Sequence, residues 1–220
     1  HFMLHRLALL TALLSLSAPL LATPPGVLWM QRLDPSALPK GLEALPRSDQ
    51  SSAAGYCLPL SGDQNLGQLL LWERFPDLAA ALSTAPNAPA LNNARLQSGA
   101  YTELGTEGLA SATARVWQVQ VPVADYAPFL EAMAALETAL RKDGHDFRAL
   151  VLSPAGAGVQ DAGGLQLWAL SPNGAAAGAV VDAYYAGAPW GPAWDAAYGY
   201  FKAVDSDAFL QCHPLPADPR

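Results

Sequence analysis

Gln68-Leu-Leu-Leu-Trp72-Glu-Arg-Phe-Pro76-Asp77 and Gly164-Leu-Gln-Leu-Trp168-Ala-Leu-Ser-Pro172-Asn173 share one pattern. Each is a β-rich run centred on tryptophan, closed by proline and a residue able to cap a helix. A second block follows in both places: Ala85-Pro86-Asn-Ala-Pro89-Ala90-Leu-Asn92 matches Ala188-Pro189-Trp-Gly-Pro192-Ala193-Trp-Asp195. Upstream, Val27-Leu-Trp29-Met matches Arg115-Val-Trp117-Gln. Trp29 and Trp117 lie 88 residues apart, Trp72 and Trp168 lie 96 apart, and Ala85 and Ala188 lie 103 apart. Three blocks in the same order, with a slowly growing offset, read as an internal duplication with insertions in loops.

Each copy reads as strand, helix, strand, strand, helix, strand. In the second copy Ala114 to Val121 is β-rich, and Asp125 stands at the start of a helix. Phe129, Met133, Leu136 and Leu140 fall at helical spacing, and Gly144 ends that helix. Phe147 to Ser153 and Leu165 to Leu170 are strands joined by a Gly-rich turn, Asn173 caps a helix running to about Tyr185, a short helix covers Trp194 to Val204, and Ala208 to His213 is the last strand. The first copy runs Val27 to Leu33 (strand), Pro35 to Leu45 (helix), Gly55 to Leu60 and Leu69 to Arg74 (hairpin), Asp77 to Leu82 (helix) and Ala100 to Leu104 (strand).

This order resembles the ferredoxin-like βαββαβ unit. Its duplication resembles the dimeric α/β-barrel superfamily, which includes antibiotic-biosynthesis-type monooxygenases, stress-responsive barrel proteins and haem-binding chlorite-dismutase-like enzymes, here fused into one chain. The resemblance implies an α+β fold of two tandem ferredoxin-like repeats forming a pseudo-dimeric barrel, with residues 23–108 as the first repeat and 109–220 as the second. One chain then supplies both halves, so a monomer is expected. The resemblance rests on topology, and a fold does not determine a reaction.

Met3-Leu4-His5-Arg6, the apolar run Leu7 to Leu21 and the small residue Ala22 have the order of a secretory signal, expected to span residues 1–22, with His1-Phe2 read as an artificial extension. A membrane anchor is the competing reading. Pro19 and a run shorter than the roughly 20 residues of a spanning helix weigh against it. A periplasmic or secreted location, without stable membrane insertion after cleavage, is therefore expected. Of the 220 residues, 12 are Lys or Arg and 19 are Asp or Glu, for a net charge of −7. That balance lacks the basic footprint of nucleic-acid binding, and 51% hydrophobic content excludes a disordered chain.

Cys57 and Cys212 are the two cysteines. In an exported chain such a pair is most simply a structural disulfide, and the lack of a C-x-x-C spacing argues against a redox role. Two unrelated buried thiols are the alternative. The resemblance favours the bond: in the related barrels strand two of one unit pairs with strand four of the other, which puts both cysteines on one seam.

Strand alternation then sorts candidate site residues. Leu165, Leu167 and Ala169 suit a helix-covered face, which leaves Gln166 and Trp168 facing the barrel interior. Trp117, Val119 and Val121 leave Gln118 and Gln120 opposite, and the first copy contributes Arg32 beside Met30 and Arg74 beside Trp72. Arg32, Trp72, Arg74, Gln118, Gln120, Gln166 and Trp168 would together line a cavity suited to a flat or anionic small molecule. Against this stand core packing for the tryptophans and solvent, Glu73 or Glu103 as partners for the arginines. Tyr184, Tyr185, Trp190, Trp194, Tyr198, Tyr200 and Phe201 form an aromatic cluster that reads either as a contact face or as an extension of the core.

Motifs for chemistry are sparse. There is no H-E-x-x-H, no G-x-S-x-G and no phosphate-binding loop. His145 sits in a polar turn, and His213 is the one candidate haem ligand. No cofactor is expected, with haem an alternative that the resemblance raises. Cofactor-free oxygenases of the resembled superfamily need few protein groups, so sparse motifs do not exclude one. Three functions stay open: a small-molecule-binding barrel, which ranks first, an oxygenase-like enzyme, and a structural protein with a filled barrel.

Overall fold

The computed structural model describes residues 25–38, 45, 47–62, 66–84, 91–105, 109, 112–158 and 163–216. The expected leader at 1–22 and the block at 85–90 lie outside them. The chain runs β1 (Val27–Leu33), β2 (Ala53–Ser61), β3 (Leu69–Phe75), α1 (Leu78–Thr84), β4 (Arg95–Glu103), β5 (Ala112–Gln120), α2 (Tyr126–Lys142), β6 (Arg148–Pro154), β7 (Leu165–Ser171), α3 (Gly174–Tyr185), α4 (Gly191–Tyr198) and β8 (Ala203–Pro214). All eight strands pair antiparallel and close a barrel in the order β1-β3-β2-β8-β5-β7-β6-β4.

Closure removes every sheet edge, and helices cover the outside, so many strand residues are buried on both faces. This explains why β1 and β7 are almost continuously apolar. Leu28, Met30, Trp72, Ala114, Leu150, Trp168, Leu170 and Leu210 form one interior cluster. Trp117, Val119, Val151, Leu165 and Leu167, from the opposite strand faces, form another with α2. Phe129, Met133, Leu136 and Leu140 are the apolar stripe of α2. At about 2 kcal/mol per buried side chain, that stripe contributes roughly 8 kcal/mol.

Local chemistry sets the helix ends. Asn173 accepts a hydrogen bond from the Ala176 amide at 2.9 Å, and Asp77 accepts one from Ala80 at 2.8 Å. Gly144 adopts φ +90°, the His145 amide donates to the Leu140 carbonyl, and the Gly144 amide donates to Arg141. This is the paired closure that favours glycine after a helix. Asp125 stands at the N-terminus of α2 but makes no capping bond through its side chain, because a 3-10 turn at Val123–Asp125 precedes the helix.

Two expected elements need correction. At the start of the helix expected from Pro35 to Leu45 there is a 3-10 turn at Pro35–Ala37, followed by Leu38 in extended conformation at ψ 124°; residues 39–44 of that expectation lie outside the described residues. Pro39 follows, and proline disfavours helical backbone in the residue before it. Val204 belongs to β8, not to the short helix after Trp194, which ends at Tyr198. Gly199 closes that helix, and the Lys202 amide already donates to the Gln120 carbonyl of β5.

Cys57 and Cys212 are register partners on β2 and β8 and form a disulfide across 155 residues of chain. Among the described residues no helix is long and apolar enough to cross a membrane.

Candidate functional site

Two cavities are the candidate sites. The first opens inside the barrel. Cross-strand register places Arg32 of β1 level with Leu70 of β3 and Gln97 of β4, and Gln118 of β5 level with Gln166 of β7 and Ser206 of β8. These six residues line a cavity of about 290 Å³, together with Met30, Gly99, Tyr101, Val116, Trp168, Asp205 and Leu210. The Trp168 indole Nε1 donates to Gln166 Oε1 at 3.1 Å. At the rim, Gln120 Nε2 donates to Asp205 Oδ2 at 2.6 Å.

The structure thus brings Arg32, Gln118, Gln166 and Trp168 together, while Trp72, Arg74 and Gln120 stand apart from the lining. Trp72 is buried in the interior cluster, against Gly55 of the neighbouring strand, and its indole nitrogen has no partner. Arg74 lies four residues along β3 from Leu70, about 13 Å at strand rise. Its Nε donates to Glu103 Oε2 at 2.8 Å, and Glu103 is buried. This is one of the two pairings that the sequence left open for Arg74.

The second cavity, of about 430 Å³, lies outside the barrel between the sheet and the helices α3 and α4. Alternation turns Arg115 and Trp117 of β5, and Asp207 and Phe209 of β8, to this face. Tyr184 and Tyr185 from α3, Trp190 ahead of α4, and Trp194 and Tyr198 from α4 line the rest. Trp117 and Trp194 pack with ring centroids 5.3 Å apart, and Tyr184 stacks on Trp190 at 6.0 Å. Arg115 holds Asp207 through two bonds, at 2.9 and 2.6 Å, and its guanidinium lies 4.7 Å from the Trp117 ring centre. The bond to Asp207 raises the Arg115 pKa above its ordinary value. Tyr184 donates to Asp195 Oδ1 at 2.6 Å, and that bond raises the phenol above its usual range.

Arg115 with Asp207 and Tyr184 with Asp195 are thus paired within this cleft, whereas the buried Trp190 indole is not. Trp190 is 3% exposed and its Nε1 has no hydrogen-bond partner. An unmet buried N–H is costly, so it calls for an acceptor from elsewhere. The rim is the reverse: Tyr185 is 80% exposed and Tyr198 50%. Tyr200 and Phe201 take no part and pack edge-on against Phe129 of α2. The aromatic cluster thus divides between an open cleft and the core.

The outer face of the first half carries a buried carboxyl group. Glu73 is 4% exposed, opposite Trp29 on β1, and its Oε1 accepts from the Ser48 amide at 2.6 Å. Burial pushes its pKa up, against the lowering effect of that bond and of Arg47.

Sequence reasoning missed Gln97, Tyr101, Asp205 and Ser206. Gln97, Asp205 and Ser206 lie outside the strands expected at Ala100 to Leu104 and Ala208 to His213, because β4 and β8 begin earlier, at Arg95 and Ala203. His213 projects opposite to Cys212 and packs against Tyr56, with ring centroids 5.2 Å apart and the rings tilted by 32°. Neither cavity has a histidine or cysteine in its lining, and no metal-binding cluster of His, Cys, Asp or Glu occurs among the described residues. His213, the candidate haem ligand, lines neither cavity.

No protein-family model matches the chain, and no curated protein matches its sequence. Solved structures do match its fold. A provisionally named monooxygenase from Lactobacillus acidophilus NCFM superposes with a TM-score of 0.55 at 12% identity, over 88% of this chain and 100% of its own. An anthrone oxidase-like protein gives 0.51 at 12% identity, over 89% and 94%. A second provisionally named monooxygenase, from Fusobacterium nucleatum subsp. nucleatum ATCC 25586, gives 0.50 at 11%, over 88% and 94%. Likeness at this identity shows the fold, a ferredoxin-like α/β barrel.

Proposed function

We propose that this protein is an exported small-molecule-binding barrel whose principal site is the aromatic cleft between β5, β8, α3 and α4. The ligand is a flat, largely uncharged ring system carrying a hydrogen-bond acceptor. The observation that carries this reading is the unmatched Trp190 N–H in an aromatic cleft where Arg115 and Tyr184 are already paired to Asp207 and Asp195. Arg115 is paired with Asp207, so the cleft offers chiefly ring faces and neutral polar groups.

The strand order supports two tandem ferredoxin-like halves, 23–108 and 109–220. β4-β1-β3-β2 and β8-β5-β7-β6 run in the same internal order, joined at β2 with β8 and at β4 with β6. A single chain completing its own barrel supports a monomer. Export, with residues 1–22 as its signal, is supported by the disulfide, which is stable in oxidising compartments.

A second reading is oxygenase-like turnover of the same ligand, favoured by the fold shared with the provisionally named monooxygenases and the anthrone oxidase-like protein. Anthrone is a suitable probe for both. Titration into protein exported to a periplasm and never refolded should quench tryptophan fluorescence, and Trp194→Ala should weaken binding by at least about tenfold. Binding without oxygen uptake supports the binding protein, and protein-dependent oxygen uptake above the autoxidation of anthrone supports the enzyme. Quenching that is unchanged in Trp194→Ala refutes the cleft as the site.

A further inference from the structure

Building on the cleft as the ring-binding site, on which this inference rests, we propose that its ligand carries a cationic amine, seated at the rim between Tyr184, Trp194, Tyr198 and Asp195. The ring system itself is uncharged, and the charge sits on its substituent. The negative face of an aromatic ring attracts a cation within about 6 Å of its centre. One wall of the cleft already uses that attraction. The Arg115 guanidinium lies 4.7 Å from the Trp117 ring centre and 5.5 Å from that of Phe209, and Asp207 completes the arrangement with two hydrogen bonds.

The same parts recur on α3 and α4. Tyr184 and Trp194 have ring centroids 6.3 Å apart and planes at 67°, so the two rings form a corner. Tyr198 follows Trp194 by one helical turn on α4. Asp195 stands on the same helix, exposed, and its Oδ1 accepts from the Tyr184 hydroxyl at 2.6 Å. A carboxylate offers about four lone-pair sites, so this bond leaves it acceptor capacity. Among the described residues Asp195 forms no ion pair with arginine, lysine or histidine. A bond that only tied α3 to α4 could equally be made by asparagine, whereas aspartate adds a charge.

That charge sets the sign of the site. The charged side chains among the described lining residues are Arg115, Asp195 and Asp207, and the first is paired with the last. The bond to Asp195, then burial and the Asp195 charge, hold the Tyr184 phenol above its usual range, so the spot disfavours a further negative charge. The chain as a whole, at −7, adds a field of the same sign. Trp190, 3% exposed, offers its N–H at the buried end, while Tyr185 and Tyr198 are open to solvent. The ligand therefore presents its acceptor at one end and its cation at the other.

(4-Hydroxyphenyl)trimethylammonium is the probe, with 4-tert-butylphenol as its uncharged isostere. Both are titrated calorimetrically into the full chain in mildly acidic buffer, where the phenols stay protonated. Saturable binding of the cation is expected with a dissociation constant of about 1 mM or tighter. It should bind at least about threefold more tightly than the isostere. Asp195→Asn keeps an acceptor for Tyr184 and should weaken the cation by at least about fivefold relative to the isostere. Tyr198→Leu keeps an apolar wall without a ring face; it should also lower the preference for the cation, and it carries the test if Asp195→Asn does not fold. The proposal is overturned by absence of saturable cation binding in the folded wild type, by equal or tighter binding of the isostere, or by a preference that survives both variants. Anthrone is uncharged, so intact anthrone binding beside a lost cation preference overturns this inference and leaves the cleft reading standing. Absence of anthrone binding in the wild type overturns the cleft reading itself.

Discussion

Replacing both cysteines, as Cys57→Ala with Cys212→Ala, isolates the contribution of one covalent bond to the barrel. The bond joins residues 155 apart in sequence. In the chain-entropy model, a loop of that length restricts the unfolded chain by about 5 kcal/mol. Both cysteines are fully buried on the β2–β8 seam, where backbone pairing from Gly55 to Ser61 against Phe209 to Pro214 remains after the change. Alanine keeps the inward methylene at each position, so the packing loss is small beside the loop term. For a domain of this size, about 2–4 °C of melting temperature corresponds to each kcal/mol. The double variant should therefore melt roughly 10–20 °C below the oxidised wild type. Wild type fully reduced under the same conditions should melt close to the variant. The assay is thermal unfolding followed by circular dichroism, with intact mass confirming the oxidised starting state. A drop below about 3 °C would refute the reasoning, since it would mean that the unfolded chain gains little freedom when the two distant strands are released.

Three further outcomes follow from individual contacts. Glu73 has its pKa raised by burial, so the fold disfavours its ionised form; the cost is absent below the ordinary value of 4.5 and grows as pH rises through the folded value. Glu73→Gln should therefore gain stability relative to wild type between pH 4.5 and neutrality, as read by denaturant unfolding at the two ends; a difference that is the same at both would contradict this. A Cβ at Gly55 would meet the Trp72 ring and the backbone carbonyl of His213, so Gly55→Ala should cost about 1–3 kcal/mol in urea unfolding, and a neutral result would show that β2 can move away from Trp72. Asn173→Ala removes the capping bond to Ala176 and should cost about 1 kcal/mol, with Asn173→Ser close to wild type.

Much of this molecule was readable because its periodicities are strong. The strand from Val27 to Leu33, the helical stripe from Phe129 to Leu140 and the Asn173 cap are local patterns, and each stands where local propensity puts it. The inward turn of Trp168 and Gln166 followed from alternation, since β7 has no irregularity in its pairing with β5 or β6. The helix expected from Pro35 does not pass Leu38, which is extended, because Pro39 disfavours helical backbone in the residue before it. Arg74 was placed beside Trp72 on the correct face, yet it stands along the strand from the cavity, because a face does not specify depth.

Order, polarity and the positions of strands and turns are written locally, as hydrophobic period, capping residue and proline. The sequence by itself therefore determined most of the element types and the pair of cysteines available for one bond. Tertiary structure alone decided which ends of the strands meet at the lumen mouth, that Arg74 meets Glu103, and that Tyr184, Trp190 and Trp194 wall a cleft while Phe201 packs into the core. The reason is physical: strand stagger and helix docking set depth and distance, and both depend on contacts between residues about ninety positions apart, as Arg115 and Asp207 are.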